Sequence, residues 1–472
     1  MNQMDSSSFF VSSLIRDNQF QSFSDFHAWL GSRCLPGSFR VEKVPLRALE
    51  HWGLDPEGVR MSHDSGRFFR VEGIHVETNF GGERAWDPPI INQPEIGFLG
   101  FITRVFNGIR YFLVQAKMEP GNINTIQVSP SLQATKSNFT QVHKGKRPAF
   151  LEYFNGEKPV KILTDQLQTE QGGRFFRKRN RNIVIETGDD LILPEDFCWL
   201  TLGELKCLLR ENNLLNMDAR SVLSTVSLME DEVIRELSRN GLPAGLPKLS
   251  ENGQKYLASF LCGKPVHSID ALLSWYTQQK TRWELDVQWK PLSRLEGWRI
   301  GEMAIEGDAR YFSVIGVRVS AGTREVTHWM QHLVQDLHHG WLGFVCQQIG
   351  GILHFLVQAK VEPGNMDLIE LSPTVSCSNY RHVQAQSVRP FLFDALFDAR
   401  NLVHYDTLQS EEGGRFYHWQ NRNMIIELPP EDRVDVPFNY IWMTLGQMKE
   451  FMRYGLFNVE ARSIISSISF ID

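Results

Sequence analysis

The chain has 472 residues, 22% charged and 42% hydrophobic, and its 49 basic against 55 acidic side chains give a formal net charge of −6. Both signs are interspersed, so nothing in the charge favours nucleic acid or an anionic membrane as partner, and no apolar run approaches the length that crosses a bilayer. The six cysteines lack metal-type spacing and read as free thiols in a reducing cytoplasm.

The first twenty or so residues, with serines at Ser6, Ser7, Ser8, Ser12 and Ser13, read as a partly mobile arm rather than a signal peptide, because no basic segment precedes an apolar one. Short β-like segments follow. His63-Asp64 resembles an oriented acid–base pair if a turn holds it, since adjacent strand residues face opposite ways. Trp52 and Trp86 suit packing first and stacking on a nucleobase second. From Arg110 to Lys117 the pattern predicts a strand with Phe112, Val114 and Ala116 on one face and Tyr111, Leu113, Gln115 and Lys117 on the other. Glu119-Pro120-Gly121-Asn122 supplies turn chemistry. Gln115 and Lys117, roughly 6 to 7 Å apart along the strand, would then line a cleft rimmed by that turn.

Further on, Glu170-Gln171-Gly172-Gly173-Arg174 and Arg179-Asn180-Arg181-Asn182 bring strong donors beside a flexible turn. Guanidinium forks suit phosphate, and Asn side chains suit sugar or base edges. The alternative is a glycine turn beside a solvated basic loop with Arg174 in an ion pair. The segment has neither a dinucleotide fingerprint nor a P-loop ending. Thr201-Leu-Gly-Glu204 fits a helix-starting capping box, with Leu205, Leu208 and Leu209 at helical spacing. An irregular stretch over residues 227–262 places a boundary near 245.

Beyond it the pattern repeats. Phe355 to Asn365 (F-L-V-Q-A-K-V-E-P-G-N) matches Phe112 to Asn122 with one change. Trp329 matches Trp86, Gly413-Gly414-Arg415-Phe416 matches Gly172 to Phe175, and Asn421-Arg422-Asn423 matches Asn180 to Asn182. Thr444-Leu-Gly-Gln447 and Ala461-Arg462-Ser463 match Thr201 to Glu204 and Ala219 to Ser221. The chain therefore reads as a tandem duplication of an α+β unit, 1–245 and 246–472, with strands first and helices last. Packing alone could preserve an apolar strand, but Gln358, Lys360, Glu362 and Asn365 recur in register as well. That points to a site in each copy. Zinc and calcium spacings are lacking, and no metal is expected.

The quoted segments, together with Trp86 to Gln93 and Val128 to Asn138, resemble the NDP-hexose 2,3-dehydratases of deoxysugar biosynthesis, and the resemblance covers both copies. It implies a Nudix-like repeat, a homodimer, no cofactor, and dTDP-4-keto-6-deoxyglucose as substrate on a route to 2,6-dideoxysugars of antibiotics. The paired carboxylates of the Nudix box are missing, so metal-dependent diphosphatase chemistry is not implied. In the implied reaction the 4-ketone acidifies C3, loss of the C3 proton expels the C2 hydroxyl as water, and the enol relaxes to a 3,4-diketo sugar for a downstream 3-ketoreductase. Such a site needs a base, an acid and donors to the C4 oxygen.

On this reading Lys117 stabilises the C4 oxygen or protonates the leaving group, and Glu119 or His63 is the base. Arg174 and Arg181 hold the diphosphate, while Trp86, Gln115, Asn122, Gln133 and Asn182 shape the other contacts. Trp329, Gln358, Lys360, Glu362, Arg415, Arg422 and Asn423 would form a second, binding-only pocket. This is because the second copy has Glu306-Gly307-Asp308-Ala309 in place of His63-Asp64-Ser65-Gly66, Ser376 and Cys377 in place of Gln133 to Thr135, and the shorter Gln386-Ser-Val-Arg389 in place of His143 to Lys146. Two rivals stand beside this reading: a non-catalytic nucleotide-sugar-binding protein and a metal-dependent nucleotide-sugar diphosphatase.

Overall fold

The computed structural model describes residues 8–34, 37–140, 146–228, 231–242, 245–307, 312–322, 327–336, 338–377 and 389–472. His143, Asp308 and Ala309 lie outside them. The fold is mixed α/β, and each half carries the same seven-stranded sheet. In the first half its central order is Lys161–Thr169, Arg179–Glu186, Phe98–Phe106, Ile109–Met118, Phe197–Thr201, with Ile126–Pro130 and Leu132–Ala134 alongside. In the second half Leu402–Ser410, Gln420–Leu428, Gly340–Ile349 and Ile352–Lys360 take the equivalent places. No helix among the described residues is long and apolar enough to cross a membrane.

The Ile109–Met118 strand alternates as its sequence predicts, but both of its faces are covered. Phe112, Val114 and Ala116 enter the main core, and Tyr111 and Leu113 enter a second one with Trp199. The capping boxes form at Thr201 with Glu204 and at Thr444 with Gln447. The expectation of a mobile N-terminal arm fails for residues 9–14. They form a helix capped by Ser8, with Phe9, Phe10, Val11 and Leu14 all buried. Four apolar side chains in six residues bury enough surface to hold the segment down, and the Ser12 hydroxyl donates to the Arg110 carbonyl at 2.7 Å.

Each half also has a smaller sheet, and here the halves exchange strands. Phe39–Val44 pairs antiparallel with Ser313–Ala321 of the second half, from Phe39 opposite Ala321 to Val44 opposite Gly316. Reciprocally, Leu285–Lys290 pairs with Arg70–Thr78 of the first half, from Leu285 opposite Thr78 to Lys290 opposite Gly73. Leu285 and Val287 pack on Ile74, Val76, Ile90 and Trp86, so the exchanged strand completes a core of the other half. Asp87 fastens it. Its carboxylate accepts from Lys290 and His75, and from the Glu296 amide at 2.9 Å.

The seam runs between the closing helices Met217–Thr225 and Val459–Ser466. Arg220 donates to the Ser463 hydroxyl at 2.8 Å, and Arg462 donates to the Ser221 hydroxyl at 3.3 Å. Both arginines are about 1% exposed. Each arginine of the repeated Ala-Arg-Ser segments meets the serine of the other copy and backbone carbonyls besides, Arg220 those of Leu215 and Ser410 and Arg462 those of Phe457 and Thr169, as a buried guanidinium must.

Candidate active site

Lys117 ends the Ile109–Met118 strand and Glu119 opens the turn beyond it, and Gln133 fixes both. The backbone carbonyl of Gln133 accepts from Lys117 Nζ at 3.1 Å, and its Nε2 donates to Glu119 Oε1 at 2.9 Å. Gln133 is held in turn by Asn216 Nδ2, 2.9 Å from its Oε1, while Asn216 caps the helix Met217–Thr225. The pair is thus set by a rigid strand and a helix cap, as precise placement requires.

These groups face a cavity of about 470 Å³. The first half lines it with Gly97, Leu99, Thr135, Asn138, Asn180 and Asp218 on the large-sheet side, and with His51, Trp52, His63, Phe68 and Phe69 from the small sheet. The second half contributes His328, Trp329, Met330 and Gln331 from the strand His328–Gln335, and Glu412, Gly414 and Arg415 from its glycine loop. The site lies between the two copies, and neither copy holds it alone.

The crossing follows from how the repeated turns dock. Gly121 N donates to the Gly413 carbonyl and Gly364 N donates to the Gly172 carbonyl, at 2.8 and 2.7 Å. A side chain at Gly121 would begin 1.6 Å from the Phe416 oxygen, and one at Gly364 would begin 1.8 Å from the Phe175 oxygen. Each Glu-Pro-Gly-Asn turn therefore presses on the Gly-Gly-Arg-Phe loop of the opposite copy, and each loop delivers its arginine there. Arg415 reaches the first-half cavity, where both Nε and Nη2 donate to Gln93 Oε1 at 3.1 Å and its guanidinium lies 4.3 Å from the Phe69 ring centre. Arg174 goes the other way and stacks 4.2 Å from Phe312 and 5.0 Å from Trp419.

Several expected positions are therefore corrected. Arg174 and Trp86 do not line the first-half cavity, whereas Trp329 and Arg415 do. Trp86 packs in the small core that the exchanged strand completes. Gln115 shares a face with Lys117 but donates to Asp196 Oδ2 at 2.7 Å, because Ser129 and Phe197 flank it in the sheet. Asn122 is buried against Gly413 and bonds the Lys117 and Thr125 carbonyls. Arg181 pairs with Asp165 at 2.7 and 2.6 Å, and Arg422 pairs the same way with Asp406, so both serve their own sheets. Asn182 and Asn423 bond backbone carbonyls and the serines of the closing helices. From this motif only Asn180 reaches the cavity, with Oδ1 accepting from Gly97 N and Nδ2 donating to Glu170.

His63 lines the cavity from the small sheet, edge-on to Trp52 and Phe68. Its Nδ1 lies 3.1 Å from Ser65 N, 2.8 Å from Ser65 Oγ and 3.1 Å from Asp64 Oδ1. Burial holds its pKa below the ordinary histidine value, reinforced by His51 and opposed by Asp64. Sequence reasoning missed Asp218 and Glu412. Asp218 is buried in the first turn of its helix and pushed well above the carboxylate range by burial and by Glu412, Glu170 and Glu119, with Lys117 opposing.

In the second half Lys360 donates to Ser376 Oγ at 2.9 Å and makes an ion pair with Glu362 at 2.8 Å. Burial works against its charge, but Glu362 and Glu460 overcome this and raise its pKa. Gln358 sits between Ser372 and Tyr440 in the register of Gln115. Ser376 is too short to bridge as Gln133 does, so the lysine and carboxylate close on each other. Among the described residues, no group of three or more His, Cys, Asp or Glu is arranged to hold a metal ion.

The sequence profile described as NDP-hexose 2,3-dehydratase matches residues 23–226 and again 269–468, once per copy. The chain belongs to the NDP-hexose 2,3-dehydratase family. It is 41% identical over 449 residues to the dTDP-4-dehydro-6-deoxy-alpha-D-glucopyranose 2,3-dehydratase of Saccharopolyspora spinosa, covering 94% of this chain and 91% of the relative. Proteins of the same name from Streptomyces violaceoruber and Amycolatopsis orientalis are 41% and 38% identical, again over 94% of this chain and over 96% and 90% of theirs. For this family, the geometry puts a lysine, an oriented carboxylate and a guanidinium around one cavity.

Proposed function

We propose that this member of the family is a 2,3-dehydratase of dTDP-4-keto-6-deoxyglucose, a hydro-lyase that makes a 3,4-diketo-2,6-dideoxy sugar for antibiotic deoxysugar biosynthesis. The observation that carries this reading is the joint placement of Lys117 and Glu119 by Gln133 on one cavity wall. Lys117 supplies positive charge where the C4 oxygen becomes an enolate, and Glu119 takes the C3 proton. Arg415 takes the diphosphate role that the sequence assigns to Arg174, and Trp329 offers the flat face for the base. His63, the other candidate base, has its Nδ1 engaged by Ser65 and Asp64, whereas Glu119 Oε2 is buried with no hydrogen-bond partner, which favours Glu119.

The second site, around Lys360 and Glu362, is proposed to bind nucleotide sugar without turning it over, because its lysine and carboxylate are spent on each other. Each copy, divided near residue 245, is taken as Nudix-like, and the protein as a cytoplasmic homodimer whose diketo product passes to a 3-ketoreductase.

Incubation with dTDP-4-keto-6-deoxyglucose, with and without chelator, and mass analysis of the products tests the reading. Loss of one water in both samples is expected. Bound but unchanged substrate would make the protein a binding module, and nucleoside monophosphate that chelation prevents would make it a diphosphatase. Lys117→Ala is expected to lower turnover by about 100-fold or more, whereas Lys360→Ala retains it; the reverse pattern in steady-state kinetics would move the chemistry to the second site.

A further inference from the structure

Glu412 stands at the meeting of the two copies, within the cavity that holds Lys117 and Glu119. Its Oε1 and Glu119 Oε1 lie 3.0 and 3.5 Å from the point a side chain on Gly414 would occupy, so two carboxyl groups flank one small space. Glu119 Oε1 accepts from Gln133, while its Oε2 is buried and has no hydrogen-bond partner, leaving that oxygen for another group. The same loop in the first copy carries Gln171 where Glu412 stands, and Gln171 donates to Glu411. The acidic side chain therefore exists at one of the two sites only, the one where lysine and carboxylate are held apart by Gln133.

A dehydration needs two proton-handling groups with opposite roles. We propose that Glu412, carried by the second copy, is the acid that protonates the departing C2 hydroxyl, while Glu119 takes the C3 proton. This rests on the dehydratase reading. The C3–H bond breaks with its proton going to Glu119, and its electrons pass into the C4 carbonyl as an enolate. They return to form the C2–C3 double bond as the C2–O bond breaks, and the oxygen leaves as water with the Glu412 proton. Glu119 then releases its proton and Glu412 regains one from solvent, so no oxidant or reductant is consumed.

The surroundings suit a carboxyl that keeps its proton until late. Burial, Glu170 and Glu119 push the Glu412 pKa to about 7 against Arg415 and Lys178. Asp218, Lys117, Lys146 and Glu50, with the histidines His51, His63 and His328, are further ionisable groups on the same cavity wall.

Glu412→Gln tests the assignment, and Gln171 in the equivalent loop shows that the fold accepts glutamine there. Turnover of dTDP-4-keto-6-deoxyglucose is expected to fall about 100-fold or more, with solvent exchange at C3 and dTDP affinity kept within about threefold. The wild-type rate is expected to decline as pH rises past about 7, and the variant to lose that limb. Turnover within about threefold of wild type, or loss of C3 exchange or dTDP binding along with turnover, would overturn the assignment. A wild-type chain that leaves the substrate intact would instead bring down the dehydratase reading and this inference with it.

Discussion

Arg415 is fixed by two hydrogen bonds to Gln93 Oε1 and by the ring of Phe69, so its guanidinium is in place before any ligand arrives. A pre-set fork recognises a diphosphate at little entropic cost. Arg415→Ala is expected to raise KM for the nucleotide sugar by about 10- to 100-fold, the worth of a charge-assisted hydrogen bond, and to change kcat much less. Arg174→Ala is expected to leave that KM alone and to lower stability instead, because Arg174 is stacked on Phe312 and Trp419. Steady-state kinetics and denaturant unfolding of both variants check the crossing. Equal KM effects from the two would mean that both loops feed one site.

At the scale of elements, the exchanged strand Leu285–Lys290 depends on one buried carboxylate. Burial works against the charge on Asp87, but the Glu296 amide, Lys290 and His75 hold its pKa below the ordinary aspartate value. Asp87→Ala removes the shared acceptor of Lys290, His75 and the Glu296 amide and is expected to lower stability; a urea unfolding curve with an unchanged midpoint would deny the strand this anchor. The strand itself was not legible in the sequence, and neither was the crossing of Arg174 and Arg415. Both copies contain the same motifs, so pattern alone cannot tell whether Gly413-Gly414-Arg415 serves its own half or the other. What was legible was local: the alternation through Phe112 to Lys117, the Thr201 and Thr444 caps, and the Lys117, Glu119 and Gln133 cluster, whose members lie on one sheet and the turn that leaves it. Asn122 and Gly121 looked functional because they recur, yet they recur to dock the copies. Glu412 is not legible in the repeat because it is the one position from Glu411 to Phe416 that differs from its counterpart in the first copy.

For the molecule as a whole, joining two copies across a polar seam buries charge that water would otherwise carry. Burial raises Glu370 and Glu411 to about 8 and Glu460 to about 7. It lowers Lys206 and Lys449 to about 7. Each of these lysines donates to carbonyls at the end of the other copy's closing helix, Lys206 to Ser466, and Lys449 to Ser224 and Val226. A carboxyl whose folded pKa is raised holds its proton in the native state after the unfolded chain has lost its own. Its contribution to stability is complete below the unfolded value, near 4.5, and is lost as pH rises through the folded one. The lysines act in the opposite sense only above about 7, where the unfolded chain binds the extra protons. Stability is therefore expected to fall between pH 5.5 and 7.5, to level near 8, and to rise above that as the two lysines outweigh the carboxyls. Glu370→Gln removes one of these carboxyls while keeping an acceptor for the Thr169 hydroxyl, which donates to Glu370 at 2.9 Å. The variant is expected to shrink the difference in unfolding free energy between those two pH values by about 1 to 2 kcal/mol, measured by urea titration. A variant whose pH dependence matches that of wild type would show that the Glu370 carboxyl titrates as an ordinary one and that the seam does not store this proton.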